Sequence, residues 1–350
     1  MDVATFCAES RVLIVAGKGG VGKTTMVAAL AWTAAEAGLS VLVVELEGKA
    51  GLAGAFGRTE PLGYDEVVLY EAPGRGAVRG QGTVRGRGTV RGRRLTPDDA
   101  LLEYLADHGL QRVSKRLVSS GVLDVVATAI PGIRDVLVLG KVKQLERQPA
   151  ADLVVVDAPA TGHAMTFLTS AGGLLDATRG GPVRAQAEEV VELLTDPARC
   201  RVVLVTLPEE MPVSETVEAG YQLEDRAGVR LGPVIVNGWD EAPAALQTGT
   251  ARAAEQAGVR LDDRQVAALE AARGFRVHRH RLAEAQVARL GRELPLPQVR
   301  APWLSEPSVG PDELRTLAGA LAAGIGRLEA TPGGPPGPAA PPPQPGPEAR

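Results

Sequence analysis

A doubly wound α/β fold on a mostly parallel sheet is the class this sequence predicts, and three features predict it. Short β-branched and apolar runs alternate with helical patterns from residue 11 to residue 328, which is how βαβ units read. Several runs are unbroken, such as Leu-Val-Val-Val at 153–156 and Val-Val-Leu-Val at 202–205. Strands buried on both faces look like this, whereas half-exposed strands alternate. The first run leads through a glycine-rich loop into an amphipathic helix, a strand–loop–helix unit of defined chemistry.

Composition supports this class and removes others. Of 350 residues, 45% are apolar and 23% charged, enough for a sizeable core. Aromatics are only 3%, so Val, Leu, Ala and Ile must fill it. A net charge of −4 excludes a uniformly basic nucleic-acid binder. Two cysteines, Cys7 and Cys200, exclude a disulfide-dense scaffold and a zinc site of three or four thiolates from one chain. No basic segment followed by an apolar stretch opens the chain, and no run approaches the ~18 apolar residues of a membrane span. The expectation is a cytoplasmic protein with no integral membrane segment.

The elements follow in order. Strands are expected at Arg11–Ala16, Ser40–Leu46, Asp152–Asp157, Arg201–Thr206 and Pro233–Asn237. Helices are expected at Lys23–Ala37, Pro97–Ala106, Gln186–Leu194, Ser214–Asp225, Asp262–Leu290 and Pro311–Leu328. Thr96 can cap the second of these, with Pro97 at its first position and Asp98 and Asp99 in its first turn, where the helix dipole favours acids. The span from the second strand to Asp152 is too long for one crossover. Most of 95–147 reads helical, so a helical insertion on one edge of the sheet is expected, joined by residues 163–195. Residues 74–94 carry an imperfect hexapeptide repeat with seven Arg, seven Gly and no acid. It reads as an expanded surface loop; without aromatics to stack bases, no specific nucleic-acid partner is expected. Residues 331–350 hold nine prolines and read as a disordered tail. The expectation is one domain over residues 1–330.

The segment 17–25 is Gly-Lys-Gly-Gly-Val-Gly-Lys-Thr-Thr, the P-loop pattern. Backbone N–H groups of Gly17, Gly19, Gly20, Val21 and Gly22 can curl around a β-phosphate, and the following helix N-terminus adds partial positive charge. Lys23 is placed to reach the β- and γ-phosphates of ATP, Thr24 to ligate Mg²⁺, and Thr25 to extend the cradle. A second motif, Leu153 to Asp157, is an apolar strand ending in a carboxylate, which suits Asp157 to holding Mg²⁺ beside the P-loop.

The second lysine, Lys18, marks the deviant P-loop subclass. The segment Asp157-Ala158-Pro159-Ala160-Thr161-Gly162-His163 resembles the switch of the arsenite-pump ATPases and the related tail-anchored-protein-targeting ATPases. Ala129 to Asp135 is similar to a Pro-Gly-Ile-Asp-Glu segment of that family's helical insertion. Pro233 to Asn237 resembles its adenine-binding strand, and Leu294 to Arg300 its adenine-closing loop. The resemblance covers most of residues 11–330. It implies a Mg²⁺-dependent ATPase acting as a dimer, homomeric or with a paralogue, on a protein client. It further implies that Lys18 reaches the partner chain's nucleotide, that Asn237, Pro297 and Val299 contact adenine, and that His163 belongs to a switch.

Departures qualify what carries over. The family's Asp-Pro-Ala-His-Asn after the second strand reads Glu47-Gly48-Lys49-Ala50-Gly51 here, so Glu47 stands where the water-orienting aspartate would be. The metalloid-binding cysteine set and the zinc-binding Cys-x-x-Cys pair are absent, and one P-loop means a single repeat. Methionines suited to an adaptable client groove are nearly absent. Two rivals remain at this point: a partition or septum-positioning ATPase, and a weakly hydrolysing partner of a paralogous ATPase.

Overall fold

A computed structural model describes residues 1–46, 51–73, 88–107, 132–241, 244–306 and 308–328. Among the described residues eight strands form one sheet: β1 (Val12–Gly17), β2 (Ser40–Leu46), β3 (Val67–Glu71), β4 (Thr89–Leu95), β5 (Leu153–Ala160), β6 (Cys200–Thr206), β7 (Val234–Trp239) and β8 (Gln298–Pro302). Their order is β3-β4-β2-β5-β1-β6-β7-β8. The antiparallel pair is β3–β4; the other pairs are parallel. The five expected strands are present, and β1 is buried along its whole length between β5 and β6.

Alternate residues of a strand face opposite sides of the sheet, and two cores result. One gathers Leu13, Val15, Val43 and Val155 under α1 (Val3–Ala8), α2 (Lys23–Glu36) and α11 (Pro311–Gly326). The other gathers Ile14, Val44, Val154 and Val156 under α5 (Ile133–Arg147), α6 (Thr161–Ala177), α7 (Pro182–Thr195) and α8 (Glu210–Ala227). The remaining helices are α3 (Leu52–Ala55), α4 (Pro97–Asp107), α9 (Thr250–Gln256) and α10 (Asp263–Glu293). A reciprocal Asp262–Gln265 capping box starts α10.

Two expectations are corrected. The helices of 133–147 and 161–195 do not stand off an edge of the sheet. Val136, Leu139, Phe167, Leu168 and Leu193 join the strands in one core, so these helices form one of the two covering layers. The repeat is not wholly a loop: Thr89–Arg94 lies in β4, between β3 and β2. Val90 and Leu95 are fully buried. Arg91 pairs with Glu66, and the Arg93 guanidinium stacks 4.3 Å from the Tyr64 ring centre. Partnered arginines of this kind are tolerated in a sheet interior. Residues 74–87 and 331–350 lie outside the described residues.

The chain leaves β1 for α2 on one face and leaves β5 for α6 on the other. Adjacent strands whose connections diverge in this way open a crevice at their carboxyl ends, and that crevice holds the site.

Candidate functional site

β1 ends at Gly17, and the chain turns through residues 18–22 into α2. Two glycines are required there on geometric grounds. Gly17 and Gly22 take φ of 156° and 88°, which side chains disfavour. A Cβ on Gly17 would sit 2.3 Å from the Val205 carbonyl oxygen, and one on Gly22 would sit 2.4 Å from Nδ2 of Asn237. Neighbouring strands thus press the loop into shape before any ligand arrives. Asn237, near the end of β7, completes the support by donating Nδ2–H to the Val21 carbonyl at 2.9 Å.

Lys23 is buried, and its ammonium donates to the Lys18 carbonyl at 2.8 Å. The Thr24 hydroxyl donates to Oδ2 of Asp157 at 2.6 Å, and Asp157 is fully buried. A hydroxyl and a carboxylate meeting at a helix N-terminus are hard oxygen donors of the kind Mg²⁺ selects, so the residues fit that ion. An open cavity of about 760 Å³ runs from Lys23, Thr24 and Thr25 to α3 with its flanking Gly51 and Gly57, and to Val309, Gly310 and Pro311. Lys18 points elsewhere: its Nζ pairs with Oε1 of Glu215 on α8 at 2.5 Å, and both side chains are about one-third exposed.

The Asp157–His163 segment runs from the end of β5 into α6. His163 lies near Asp135 on α5. Burial pushes the Asp135 carboxyl above its ordinary range, and the His163 charge acts in the opposite direction. Glu47 lies outside the described residues.

Pro297 and Val299 do not join the loop. Because β7 and β8 are parallel, with Val234 opposite Gln298 and Trp239 opposite Pro302, Pro297 sits at the amino-terminal edge of the sheet. Strands rise ~3.3 Å per residue, which puts Pro297, four residues back in register, roughly 13 Å short of the level of Asn237. The Pro297 carbonyl accepts from the Val234 N–H at 2.8 Å, and Val299 is a core residue against Gly324. The chain reaches the carboxyl edge only after β8, where the Trp303 N–H donates to the Trp239 carbonyl at 2.9 Å.

Two carboxylates went unread in the sequence. Glu45 is 1% exposed at the end of β2, in register with Asp157. A carboxylate inside an apolar strand is a signal of function or pairing, and it was available. Glu215 carries no such signal, since its role depends on where α8 lands.

The CobQ/CobB/MinD/ParA nucleotide binding domain model matches residues 12–261. The ATPase BagA of Mycobacterium tuberculosis is 36% identical over 322 residues, covering 85% of this chain and 88% of that protein. The arsenical pump-driving ATPase of Escherichia coli is 27% identical over 232 residues, covering 65% of this chain but 35% of its own length. The ATPase ARSA1 of Chlamydomonas reinhardtii is 26% identical over 303 residues, covering 71% of this chain and 37% of that protein. With the loop, its buried lysine and the Thr24–Asp157 pair in place, and the family model matched over most of the chain, this protein belongs to the CobQ/CobB/MinD/ParA nucleotide-binding domain family.

Proposed function

We propose that this P-loop ATPase hydrolyses Mg-ATP as a dimer, with itself or with a paralogous chain, and couples turnover to a switch acting on a client protein. Relatives named as ATPases support hydrolysis. The observation that carries the dimer is the divergence of two lysines of one loop. Lys23 folds inward over the loop, and Lys18 turns outward onto Glu215.

In this reading Lys23 binds the β- and γ-phosphates, and the loop N–H groups cradle the β-phosphate. Thr24 and Asp157 would hold Mg²⁺, which would supply positive charge to offset that of the phosphates. Glu47 orients a water against the γ-phosphorus; the new P–O bond forms as the bond to the β–γ bridging oxygen breaks, and ADP departs with that electron pair. Lys18 of the partner chain meets the charge growing on that oxygen, as an arginine finger does. Asn237 stands on the base side of the loop. The Asp157–His163 segment passes the γ-phosphate state to α5 and α6.

Mixing two inactive chains tests this. Lys18→Ala paired with Lys23→Ala leaves one composite site with both lysines, so the mixture should regain part of the activity each variant lacks. If Lys18 acts within its own chain, every site carries a defect and no activity returns.

A further inference from the structure

Glu45 is 1% exposed, and both its oxygens are engaged. Oε1 accepts the backbone N–H groups of Gly51 and Leu52, each at 3.3 Å. Oε2 accepts from Nη2 and Nε of Arg94 at 3.1 and 3.3 Å. Parallel register sets Arg94 beside Glu45 and Glu45 beside Asp157. All three lie on the sheet face covered by α2, since Val43 and Val155, two residues earlier, pack in that core. A row of one cation and two carboxylates therefore crosses three strands and ends at the Thr24 hydroxyl. The row closes on itself, because a Cβ on Gly51 would lie 3.7 Å from Cγ2 of Thr24, in ordinary contact.

We infer that Glu45, neutralised by Arg94, is a positioning residue for phosphoryl transfer. Resting on the ATPase reading, this deepens it. The carboxylate ties the end of β2 to the start of α3 through the Gly51 and Leu52 N–H groups, and so holds α3 against the cavity that Lys23 and Thr24 line. It also sets the wall against which Thr24 and Asp157 meet. With four donors on two oxygens, Glu45 has no capacity left to take a proton from water, so it acts through its neighbours. Arg94 is the last residue of the arginine–glycine repeat, and this gives it a task. Its fork suits a carboxylate in a way a lysine cannot fully copy.

The test uses the full chain with Glu45→Gln, Arg94→Lys, Arg94→Met and the double variant Glu45→Gln/Arg94→Met. Phosphate release at saturating Mg-ATP, ATP affinity by calorimetry and hydrogen exchange are measured on each. Glu45→Gln and Arg94→Met should lose at least about tenfold in kcat while ATP affinity stays within about threefold, the signature of lost transition-state positioning. Arg94→Lys should keep most of the turnover. Amides 51 and 52 should exchange faster in Glu45→Gln, with β1 and β6 unchanged. Unaltered kcat, or kcat and affinity falling together, overturns the inference. If Glu45→Gln does not fold because Arg94 is left unpaired, the double variant, which buries no charge, decides by the same split. Failure of both to fold would show a pair that serves the fold alone and would also overturn it. Should the parent release no phosphate above Lys23→Ala, the ATPase reading fails, and exchange at 51 and 52 still decides the positioning.

Discussion

Lys23 meets a backbone carbonyl inside the loop, 2.8 Å from its ammonium. A phosphate is a stronger partner, because it carries charge opposite to the ammonium and the carbonyl carries none. Lys23→Ala removes at least one hydrogen bond to that charge, worth about 1.5–3 kcal/mol, so ATP affinity or turnover should fall by about tenfold or more. Calorimetry and phosphate release check this, and parental turnover in the variant would sink the P-loop assignment. The two cysteines carry the opposite expectation. Cys7 in α1 and Cys200 at the start of β6 are both buried, and burial pushes both thiols up to about 12. Metalloids and alkylating agents react with exposed thiolate. Arsenite and antimonite should therefore leave ATP turnover unchanged, and iodoacetamide should label both thiols slowly until the chain is denatured. Stimulation that disappears in Cys7→Ser or Cys200→Ser would refute this.

At the scale of elements, β4 carries the clearest prediction. A surface loop could be cut out of residues 89–95 at little cost, but the structure puts a strand there. Its loss would uncover β2 and remove the Leu95 packing, the Val90 packing and the Arg94–Glu45 pair. Deleting 89–95 should abolish soluble, cooperatively melting protein, as read by circular dichroism; a parental melting curve would contradict the topology. The strand was illegible for a physical reason. Its inward positions include Arg91 and Arg93, whose burial is made tolerable by Glu66 and Tyr64, partners no local pattern displays. The half-exposed β3 and the short β8 were missed likewise, whereas β1, β2, β5 and β6 announce themselves by unbroken apolar runs. The site divides along the same line. Lys23, Thr24, Asp157 and Asn237 follow from motifs tied to strand ends, and the structure sets Thr24 on Asp157 and Asn237 on the Val21 carbonyl of the loop. Pro297 and Val299 were misplaced because a resemblance in sequence did not fix where β8 begins. Glu215 depends on packing between distant elements.

For the whole molecule, the Lys18–Glu215 pair sets a cost on assembly. If Lys18 serves a partner chain's nucleotide, it must first leave Glu215, to which it is bound at 2.5 Å. Both side chains are about one-third exposed, and ion pairs open to solvent are worth about 0–1 kcal/mol. A symmetric dimer breaks two such pairs, so the latch opposes closure by up to about 2 kcal/mol, or up to roughly thirtyfold in dimer affinity. Glu215→Ala should consequently strengthen ATP-dependent dimerisation, by severalfold rather than by orders of magnitude, and high salt should shrink the difference by screening the parental pair. Sedimentation velocity with and without Mg-ATP, at low and high salt, measures it. Nucleotide affinity of the isolated chain should stay unchanged, since Glu215 holds the Lys18 side chain, whereas Lys23 donates to the Lys18 backbone carbonyl and Thr24 to Asp157. The opposite outcome is equally readable. If Glu215→Ala weakens the ATP-dependent dimer, Glu215 holds the partner chain when the dimer closes, and the pair is then part of the closed interface instead of a restraint on reaching it.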